Sequence, residues 1–444
     1  MFDLNLFPKG VVHIVEILKK NNFKAYVVGG SIRDLLLKVP VLDWDLTTDA
    51  RPEEVTKLFK KVVPTGITFG TVTVLLEDGE YEITTFRSEE KYTDGRRPDK
   101  VTFTKSLEKD LSRRDFTINA IAYDPLTKEL IDKYDGQRDL KNKLIRTVGN
   151  PVERFKEDGL RPFRACRFAA KLNFEIEKET FNAISKTLEI ASKVAPERIH
   201  DELMKILEAA KPSIGIELMR KSGLLKIAIP ELEEGYGIEQ PSAFHKYDVY
   251  WHSLYSADAA PKEKPLLRLA ALLHDIAKPA CKVAFTFYNH DAVGMKMAEK
   301  ILKRLRFSND DIEKVKVLVK THMFDYTSEW SDAAVRRFMR RVGLENLDDL
   351  FELRKADILA MEREFEPGDI EELKARIKKV LEEEEALTVE DLEVNGHDVM
   401  EALDLPPGPK VGEILNFLLE KVLDDPKLNT REQLLRMVKS YPLK

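Results

Sequence analysis

The spacing of apolar residues changes along the chain near residue 145. Before that point, short apolar runs and alternating apolar and polar stretches, both typical of strands, are mixed with segments of helical periodicity. After it, almost every segment repeats with helical spacing. We therefore predict an α+β fold, in which a small α/β head at residues 1–145 precedes a long, entirely helical part.

A group of residues suited to nucleotide and metal binding follows the first buried-strand pattern, at residues 25–28. Gly29 and Gly30 lack Cβ atoms, so a turn here brings the backbone close to a ligand, and the N–H groups of a following helix can face a triphosphate. Asp43 and Asp45 lie two residues apart in LDWDL, whose alternation predicts a strand with both carboxylates on one face. Converging carboxylates suit Mg²⁺.

Two further residues extend this predicted site. Arg33 follows the glycine pair and is a candidate contact for the triphosphate. Glu82 lies in EYEITTF, a predicted neighbouring strand, and is a candidate third carboxylate. Each motif alone has an ordinary explanation, because a glycine pair is usually only a turn and a DxD pattern is often a solvated strand edge. Their order and proximity favour the functional interpretation.

The motifs resemble those of a known enzyme family. GGSIRD followed by DxD is similar to the pattern of DNA polymerase β-type nucleotidyltransferases, in the class II branch that contains tRNA CCA-adding enzymes and bacterial poly(A) polymerases. SLEKDLSRRDFTINAIAYD at 106–124 and EDGLRPFRACRFAAKLNF at 157–174 resemble the second and third signatures of that branch. The resemblance implies that Arg114 contacts nucleotide phosphates or sugar, which suits the fixed donor fork of a guanidinium.

The third motif predicts a helix with a basic stripe. At about 100° per residue, Arg161, Arg164 and Arg167 share one face. Proline is comfortable only in the first turn of a helix, so Pro162 predicts that this helix begins near residues 158–160. The stripe is either a solvated amphipathic face or part of a nucleotide-binding surface.

The resemblance implies that Asp158 and Arg161, the matching residues of the E-D-x-x-R element, select the incoming base without a template. Cytosine and adenine both present an amino donor beside a ring-nitrogen acceptor, so a carboxylate can accept from the amine while a guanidinium donates to the ring. Guanine and uracil invert this pattern. A mismatched base would leave buried groups unsatisfied, at roughly 1–3 kcal/mol each.

The expected activity is addition of CCA to the 3′ acceptor end of tRNA from CTP and ATP. Two Mg²⁺ ions held by Asp43 and Asp45 would lower the pKa of the RNA 3′-hydroxyl and neutralise the departing pyrophosphate, without a covalent protein nucleophile. Enzymes that add only A, only CC or poly(A) would use the same residues. A polar loop predicted at 87–101 favours, by analogy, an enzyme that adds A.

The helical half carries a second set of candidate metal ligands. They are His252, His274, Asp275, His290, His322 and Asp357. Their order resembles the HD phosphohydrolase family, in which imidazoles and carboxylates hold one or two divalent metals. The resemblance implies phosphatase or phosphodiesterase activity with Ni²⁺ or Mn²⁺. Two alternatives stay open: a purely structural role for the histidines, or an HD phosphohydrolase whose head has become an RNA-binding module.

We divide the helical part into three domains. The neck, residues 146–225, carries base selection and includes PERIHDELMKIL at 196–207, which resembles a motif that braces the neck helix. A body with the HD domain at 226–366 and a tail at 367–444 follow. The resemblance implies that the tail contacts the tRNA acceptor end.

Composition limits the remaining possibilities. The formal net charge is −6, so RNA binding requires local basic faces, such as those in AEKILKRLRF and AVRRFMRRVG, which are alternatively solvated helix faces. Cys166 and Cys281 are the only cysteines, which argues against a disulfide scaffold and fits a reducing cytoplasm. We expect no membrane span and infer no obligate protein partner.

Overall fold

The computed structural model describes residues 2–90, 100–241, 246–284, 286–362, 368–382 and 388–442. The chain forms two compact units, which comprise Met1–Glu233 with Arg304–Arg306 and Glu234–Lys303 with Phe307–Lys444. The first unit therefore contains both the predicted head and the predicted neck. The α+β prediction is confirmed, because the named strands lie in the first unit and the second is built from helices.

The first unit contains a seven-stranded mixed sheet and two short two-stranded sheets. Its strands are β1 (Ala25–Val28), β2 (Asp45–Thr48), β3 (Val62–Gly66), β4 (Thr71–Leu76), β5 (Gly79–Thr85), β6 (Arg87–Glu90), β7 (Lys100–Phe103), β8 (Ile121–Asp124), β9 (Glu129–Asp132), β10 (Leu144–Ile145) and β11 (Glu175–Ile176). Its helices are α1 (Lys9–Lys20), α2 (Gly30–Leu37), α3 (Pro52–Leu58), α4 (Leu107–Ser112), α5 (Gly136–Asn142), α6 (Pro151–Glu157), α7 (Arg161–Leu172), α8 (Lys178–Ser185), α9 (Leu188–Ala191), α10 (Pro196–Leu207), α11 (Pro212–Ser222), α12 (Leu225–Ala228) and α13 (Pro230–Glu233). Three 3-10 helices cover Leu4–Leu6, Ile67–Phe69 and Thr117–Asn119.

The order of strands in the large sheet is β3-β4-β5-β2-β1-β8-β9. Strand β2 runs antiparallel to β1 and parallel to β5, so it lies between the glycine turn that follows β1 and the strand that carries Glu82. An apolar cluster beneath β1 and β8 includes Val28, Leu111 and Ala122. Because Leu111 belongs to α4, this cluster anchors the start of the second signature motif to the sheet.

The prediction of a polar loop over residues 87–101 is wrong at residues 87–90 and 100–101, which belong to strands β6 and β7. Strands β6 and β7 pair antiparallel there, with Arg87 opposite Phe103, and residues 91–99 lie outside the described part of the chain. Strand β6 was not predicted because its residues, RSEE, lack the apolar alternation of a half-buried strand.

The helical neck packs closely around α7. Helix α7 begins at Arg161, close to the predicted start, and has Pro162 in its first turn. A Cβ on Gly215 of α11 would lie 3.2 Å from the Cβ of Ala170, so a side chain there would push α11 away from α7. The motif PERIHDELMKIL forms α10, which also packs against α7.

The second unit is helical. Its helices are α14 (Val249–Ala259), α15 (Pro265–Leu273), α16 (Lys278–Cys281), α17 (His290–Arg304), α18 (Asn309–Thr321), α19 (Asp332–Val342), α20 (Leu347–Ala360), α21 (Gly368–Glu382), α22 (Gly396–Leu403), α23 (Pro409–Asp424) and α24 (Arg431–Lys439). Three 3-10 helices cover Leu344–Asn346, Val389–Asp391 and Pro426–Leu428. Among the described residues of the whole chain, no helix is long and apolar enough to cross a membrane.

Candidate active site

The predicted metal carboxylates lie at the start of β2. Asp45 is the first residue of the strand and pairs with Val28, whereas Asp43 precedes the strand. The predicted strand through both aspartates is therefore wrong at Asp43, because β1 ends at Val28 and the chain then turns at Gly29, so the residues before Asp45 have no partner on the β1 side. Glu82 is the register partner of Asp45 on β5, as the predicted neighbouring strand requires.

These carboxylates repel one another electrostatically. Burial raises the pKa of Asp45, and the charge of Asp43 raises it further, although Arg114 lowers it in part. Burial and the charge of Asp45 likewise raise the pKa of Glu82, while Arg87 opposes the change. A divalent cation between these groups would relieve the repulsion, so the donor set fits a hard metal ion.

The head carboxylates do not form a closed metal cage. Among the described residues, groups of three ligands with donor atoms within 4.8 Å of one another occur only in the second unit. Mg²⁺ is usually held by one or two carboxylates together with water and substrate phosphates, so a more open arrangement is compatible with it. The missing ligands would then come from a bound triphosphate.

The glycine turn brings the nucleotide-binding residues to this point. Gly29 has φ +78°, a conformation that favours glycine, and α2 begins at Gly30. A Cβ on Gly29 would lie 2.9 Å from Nη1 of Arg114 and 3.6 Å from Oδ2 of Asp45. The turn, the arginine and the aspartate therefore meet, as the sequence predicts.

The two predicted triphosphate arginines, Arg33 and Arg114, have different hydrogen-bond partners. Arg33 is 4% exposed; its Nε donates to Asp34 over 2.8 Å and its Nη1 donates to Oδ1 of Asn119 over 2.8 Å. Arg114 donates from Nη1 to the carbonyl of Asn119, and its buried Nε has no hydrogen-bond partner among the described residues. Burial lowers the pKa of Arg114, which Asp110 partly offsets. Arg114 thus keeps a donor available for an anion.

The basic stripe of α7 is not a solvated face. Arg161 is 8% exposed, and it donates from Nη1 to the carbonyl of Arg154 over 2.9 Å and from Nη2 to the carbonyl of Arg113 over 3.1 Å. It also pairs with Glu157 one turn earlier. Arg161 therefore ties the start of α7 to the second signature motif.

The other two arginines of the stripe are also paired. Arg164 donates to Oδ2 of Asp115 from both Nε and Nη2, over 2.8 and 2.6 Å. Although burial raises the pKa of Asp115, Arg164 outweighs it and holds that pKa well below its usual range. Nε of Arg167 lies 3.1 Å from Glu202, and its guanidinium lies over the ring of Phe168 at 4.3 Å.

Phe168 stands among three positive charges. The guanidinium carbons of Arg33 and Arg164 lie 5.2 and 5.4 Å from its ring centroid, in addition to Arg167. Cation–π contacts of this kind stabilise a structure by roughly 0.5–2 kcal/mol each. Because Arg33 belongs to α2 and Phe168 to α7, the ring connects the head to the neck.

Asp158 has a partner that the sequence analysis missed. Arg198 of α10 donates from Nη1 to Oδ1 over 3.1 Å and from Nη2 to Oδ2 over 2.9 Å. Arg198 and Glu202 are four residues apart on one helix face, so α10 contacts both Asp158 and Arg167. That i, i+4 spacing of opposite charges in PERIHDELMKIL is the signal that could have identified them.

One cavity joins Asp45 and Glu82 to the predicted base-selecting pair, and Asp43 is not part of its lining. Its lining includes Asp45, Glu82, Arg114, Asp158, Arg161 and Arg198. Arg164 also lines this cavity, whereas Arg167 is not part of its lining. Acidic groups for a metal and basic groups for phosphates thus face the same space in the first unit.

The predicted ligands of the second unit converge from α14, α17 and α20 and from the residues that directly follow α15 and α18. Ligand atoms of His252, His274 and Asp275 lie within 4.8 Å of one another, as do those of Asp275, His290 and His322. Asp275 belongs to both groups, so the arrangement is two overlapping triads. Each triad has the three donors that a transition-metal site commonly takes from a protein.

Backbone contacts orient three of these imidazoles. Nδ1 of His274, His290 and His322 lies 2.7, 2.7 and 2.8 Å from the carbonyl oxygen three residues earlier. A carbonyl accepts, so each Nδ1 must carry the proton, which leaves the lone pair of Nε2 directed at the cluster. This is the tautomer that a metal ion needs.

Oppositely charged groups lie close together around the histidine cluster. Asp357 Oδ1 lies 3.0 Å from Nε2 of His252, and Nζ of Lys278 lies 2.7 Å from Oδ2 of Asp275. Burial raises the pKa of Asp275, but His274 and Lys278 outweigh it and hold the pKa well below its ordinary value. A cavity lies beside the cluster and is also lined by Arg354.

One of the two candidate basic faces of the helical part is occupied within the protein. Arg337 pairs with Glu420 and Asp424, Arg340 pairs with Glu420, and Nε of Arg336 donates to the carbonyl of Leu423 over 2.8 Å. These arginines of α19 therefore hold α23 in place.

Nucleotidyl transfer requires acidic metal ligands and phosphate-binding arginines around one nucleotide, and the cavity of the first unit combines them beside a glycine turn. The fold and this site define a nucleotidyltransferase. The model of the poly A polymerase head domain matches residues 25–146, that of the probable RNA and SrmB-binding site of polymerase A matches 173–235, and that of tRNA nucleotidyltransferase domain 2 matches 283–438.

Relatives of similar length identify the family within the nucleotidyltransferases to which the chain belongs. The CCA-adding enzyme of Ligilactobacillus salivarius is 34% identical over 97% of this chain and 96% of its own, and that of Enterococcus faecalis is 33% identical over 97% and 95%. The crystal structure of the Bacillus stearothermophilus CCA-adding enzyme in complex with CTP is 29% identical, with a TM-score of 0.73 over 97% of this chain and 96% of that one. The chain belongs to the family of CCA-adding enzymes.

Proposed function

We propose that this chain adds C, C and A in turn to the 3′ end of tRNA, with CTP and ATP as donors, and that Asp43 and Asp45 hold two Mg²⁺ ions. The observation that carries the proposal is the single cavity in which Asp45, Arg114 and Asp158 meet. When bound, Mg²⁺ would activate the RNA 3′-hydroxyl and neutralise pyrophosphate. Glu82 is the third carboxylate of the site and, as the register partner of Asp45, sets the negative field that attracts the ions.

The residues around the glycine turn bind the triphosphate. The turn at Gly29 presents the N–H of Gly30, at the start of α2, to an anion with the positive end of the helix dipole, while the N–H of Gly29 itself donates to the carbonyl of Ile121. Arg114 supplies its buried Nε donor, and Arg33 fixes the helix by its bonds to Asp34 and Asn119. Polyanion binding next to the carboxylates brings the α-phosphorus to the metal site.

Asp158 and Arg161 select the base. Asp158 accepts from the amino group of cytosine or adenine, and Arg161 donates to the neighbouring ring nitrogen. The contacts of Arg164 with Asp115 and of Arg167 with Glu202 hold α7 in position, so that these two arginines support the selection and Arg164 adds positive charge to the cavity.

A panel of tRNA transcripts tests the proposal. Transcripts that end before CCA, after C and after CC are incubated with CTP alone or ATP alone, and the products are sized. A CCA-adding enzyme extends the first by two residues and the second by one with CTP, and the third by one with ATP. Growth limited to A on CC ends, a stop after CC with no use of ATP, or long A tracts would instead identify an A-adding enzyme, a CC-adding enzyme or a poly(A) polymerase.

The two overlapping triads of the second unit support a second candidate function, metal-dependent phosphoester hydrolysis. His252, His274 and Asp275 hold one Ni²⁺ or Mn²⁺ ion, and Asp275, His290 and His322 hold another. Asp357 lies at the edge of the first triad, where its Oδ1 is 3.0 Å from Nε2 of His252. Bound ions of this kind activate water for attack on phosphorus.

The second candidate is tested with bis(p-nitrophenyl) phosphate and p-nitrophenyl phosphate. We expect hydrolysis that requires Mn²⁺ or Ni²⁺, persists in Asp43→Ala and disappears with Asp275→Ala. Metal analysis after dialysis should find the ions in the wild-type protein. Absence of bound metal and of hydrolysis would leave the histidines with a structural role.

A further inference from the structure

Arg198 controls the direction of the Asp158 carboxylate. The guanidinium contacts both carboxylate oxygens, and the two side chains are 22% and 18% exposed. Because the guanidinium is planar and always charged, a two-point contact fixes the plane of the carboxylate. Partial burial also shields the pair from the solvent that weakens exposed ion pairs.

The contact with Arg198 leaves one acceptor position of the Asp158 carboxylate available. The backbone N–H of Leu160 donates to Oδ1 of Asp158 over 3.0 Å, in addition to Nη1 of Arg198. Oδ2 receives one donor, Nη2 of Arg198, from the described residues. Since each carboxylate oxygen has two lone-pair positions, one acceptor position remains, and it lies on Oδ2.

Packing against α9 holds the backbone at Asp158 independently of the contact with Arg198. A Cβ on Gly159 would lie 2.6 Å from the carbonyl oxygen of Ile190, at the end of α9. The chain therefore runs directly against α9, and the carboxylate of Asp158 can be redirected mainly through its own side-chain torsions. Arg198 is the side chain that fixes these torsions.

We propose that Arg198 is a specificity-determining positioning residue for base selection. It holds the Asp158 carboxylate with one open acceptor position on Oδ2, directed at the amino group of the incoming base. CTP and ATP offer the donor, whereas UTP and GTP would set a carbonyl oxygen against a carboxylate oxygen. The inference rests on the proposed role of Asp158.

Two substitutions separate the charge of Arg198 from its geometry. Arg198→Met removes both, and Arg198→Lys keeps the charge but loses the planar fork. The measurement is kcat/KM for CTP and UTP on a transcript without CCA, and for ATP and GTP on a transcript that ends in CC. We expect Arg198→Met to reduce the preference for CTP over UTP by about tenfold, the ratio that corresponds to one lost hydrogen bond, and Arg198→Lys to lie between it and the wild type.

Arg220→Met is the matched control. Arg220 of α11 makes a similar two-point contact with Glu217, over 2.8 and 2.9 Å, and is not part of the cavity lining. The control should keep the wild-type nucleotide preference. An equal fall of all four kcat/KM values in Arg198→Met, with the preference unchanged, would overturn the inference, because a merely structural role predicts that result.

Asp158→Ala distinguishes the positioning role of Arg198 from base selection by Asp158 itself. If it erodes the nucleotide preference and Arg198→Met does not, the positioning role is wrong and base selection by Asp158 stands. If neither variant changes the preference, base selection at this position fails, and the inference fails with it. Should Arg198→Met not fold, Arg198→Lys decides: a reduced preference supports the inference and a wild-type preference overturns it.

Discussion

The head carboxylates and the histidine cluster are two candidate metal sites with opposite electrostatics. Burial and neighbouring negative charge raise the pKa of Asp45 and Glu82, because the arginines nearby offset these effects only in part. In the cluster, His274 and Lys278 hold the pKa of Asp275 well below its usual value. We therefore expect the head site to acquire its ions together with a nucleotide and the cluster to retain ions on its own ligands.

The largest expected effect separates the two sites by activity. Asp45→Asn keeps the shape of the side chain and removes its charge, and we expect nucleotidyl transfer to fall roughly thousandfold or more, as for loss of a metal ligand that stabilises transition-state charge. The assay is CTP incorporation into a tRNA transcript without CCA. Asp49→Asn, at the other end of the same strand, is the control and should stay close to wild type; activity retained in Asp45→Asn would reject the head as the catalytic site.

The reverse substitution tests the cluster. Because Asp275 belongs to both triads, Asp275→Ala should remove bound Mn²⁺ or Ni²⁺ after dialysis and lower phosphoester hydrolysis by about a hundredfold or more, with little effect on CTP incorporation. Metal content is measured by mass spectrometry alongside both assays. Parallel loss of both activities would mean that the two sites are not independent.

A smaller effect is expected at the base-selecting residue. Asp158→Ala should lower the preference for CTP over UTP by about 10- to 100-fold, because a lost hydrogen bond in a buried site is worth roughly 1–3 kcal/mol. The measurement is kcat/KM for each nucleotide. Unchanged discrimination against UTP and GTP would contradict the assignment.

The smallest effect concerns stability without metal. A carboxylate whose pKa is raised by folding binds protons more readily in the folded state, so its charge destabilises the fold at neutral pH, and this penalty disappears as the pH falls through the raised pKa. Asp45→Asn should therefore raise the melting temperature of metal-free protein by roughly 2 °C at pH 7, with a smaller gain near pH 4. Differential scanning calorimetry with and without EDTA measures it; a lower melting temperature would contradict the sign.

The sequence predicts the local elements of the site well and their tertiary partners poorly. The glycine turn, the strand that carries Glu82 and the helix α7 follow from local patterns of apolar, glycine and proline residues. Asp43 departs from its predicted strand because strand length depends on where the partner strand ends. The pairing of Asp158 with Arg198 was missed because the charge spacing within α10 does not reveal which residue, 40 positions away, Arg198 contacts.

The basic stripe of α7 also shows that a local pattern does not predict tertiary contacts. Helical spacing predicts that Arg161, Arg164 and Arg167 share a face, and this is confirmed, but spacing does not reveal what covers the face. Arg164 and Arg167 pair with Asp115 and Glu202 from distant segments. In the same way, spacing offers the arginines of α19 as an RNA surface or a solvated face and does not reveal that Arg336, Arg337 and Arg340 contact α23.

The contact of Arg33 with the ring of Phe168 holds α2 and α7 at a fixed separation. Under the proposed function, α2 binds the phosphate end of a nucleotide, and α7 carries Arg161, one of the two residues that select the base. A nucleotide would then have to span a set distance from its phosphates to its base. We infer that this distance limits the size of an acceptable nucleotide, in addition to the hydrogen bonds of its base.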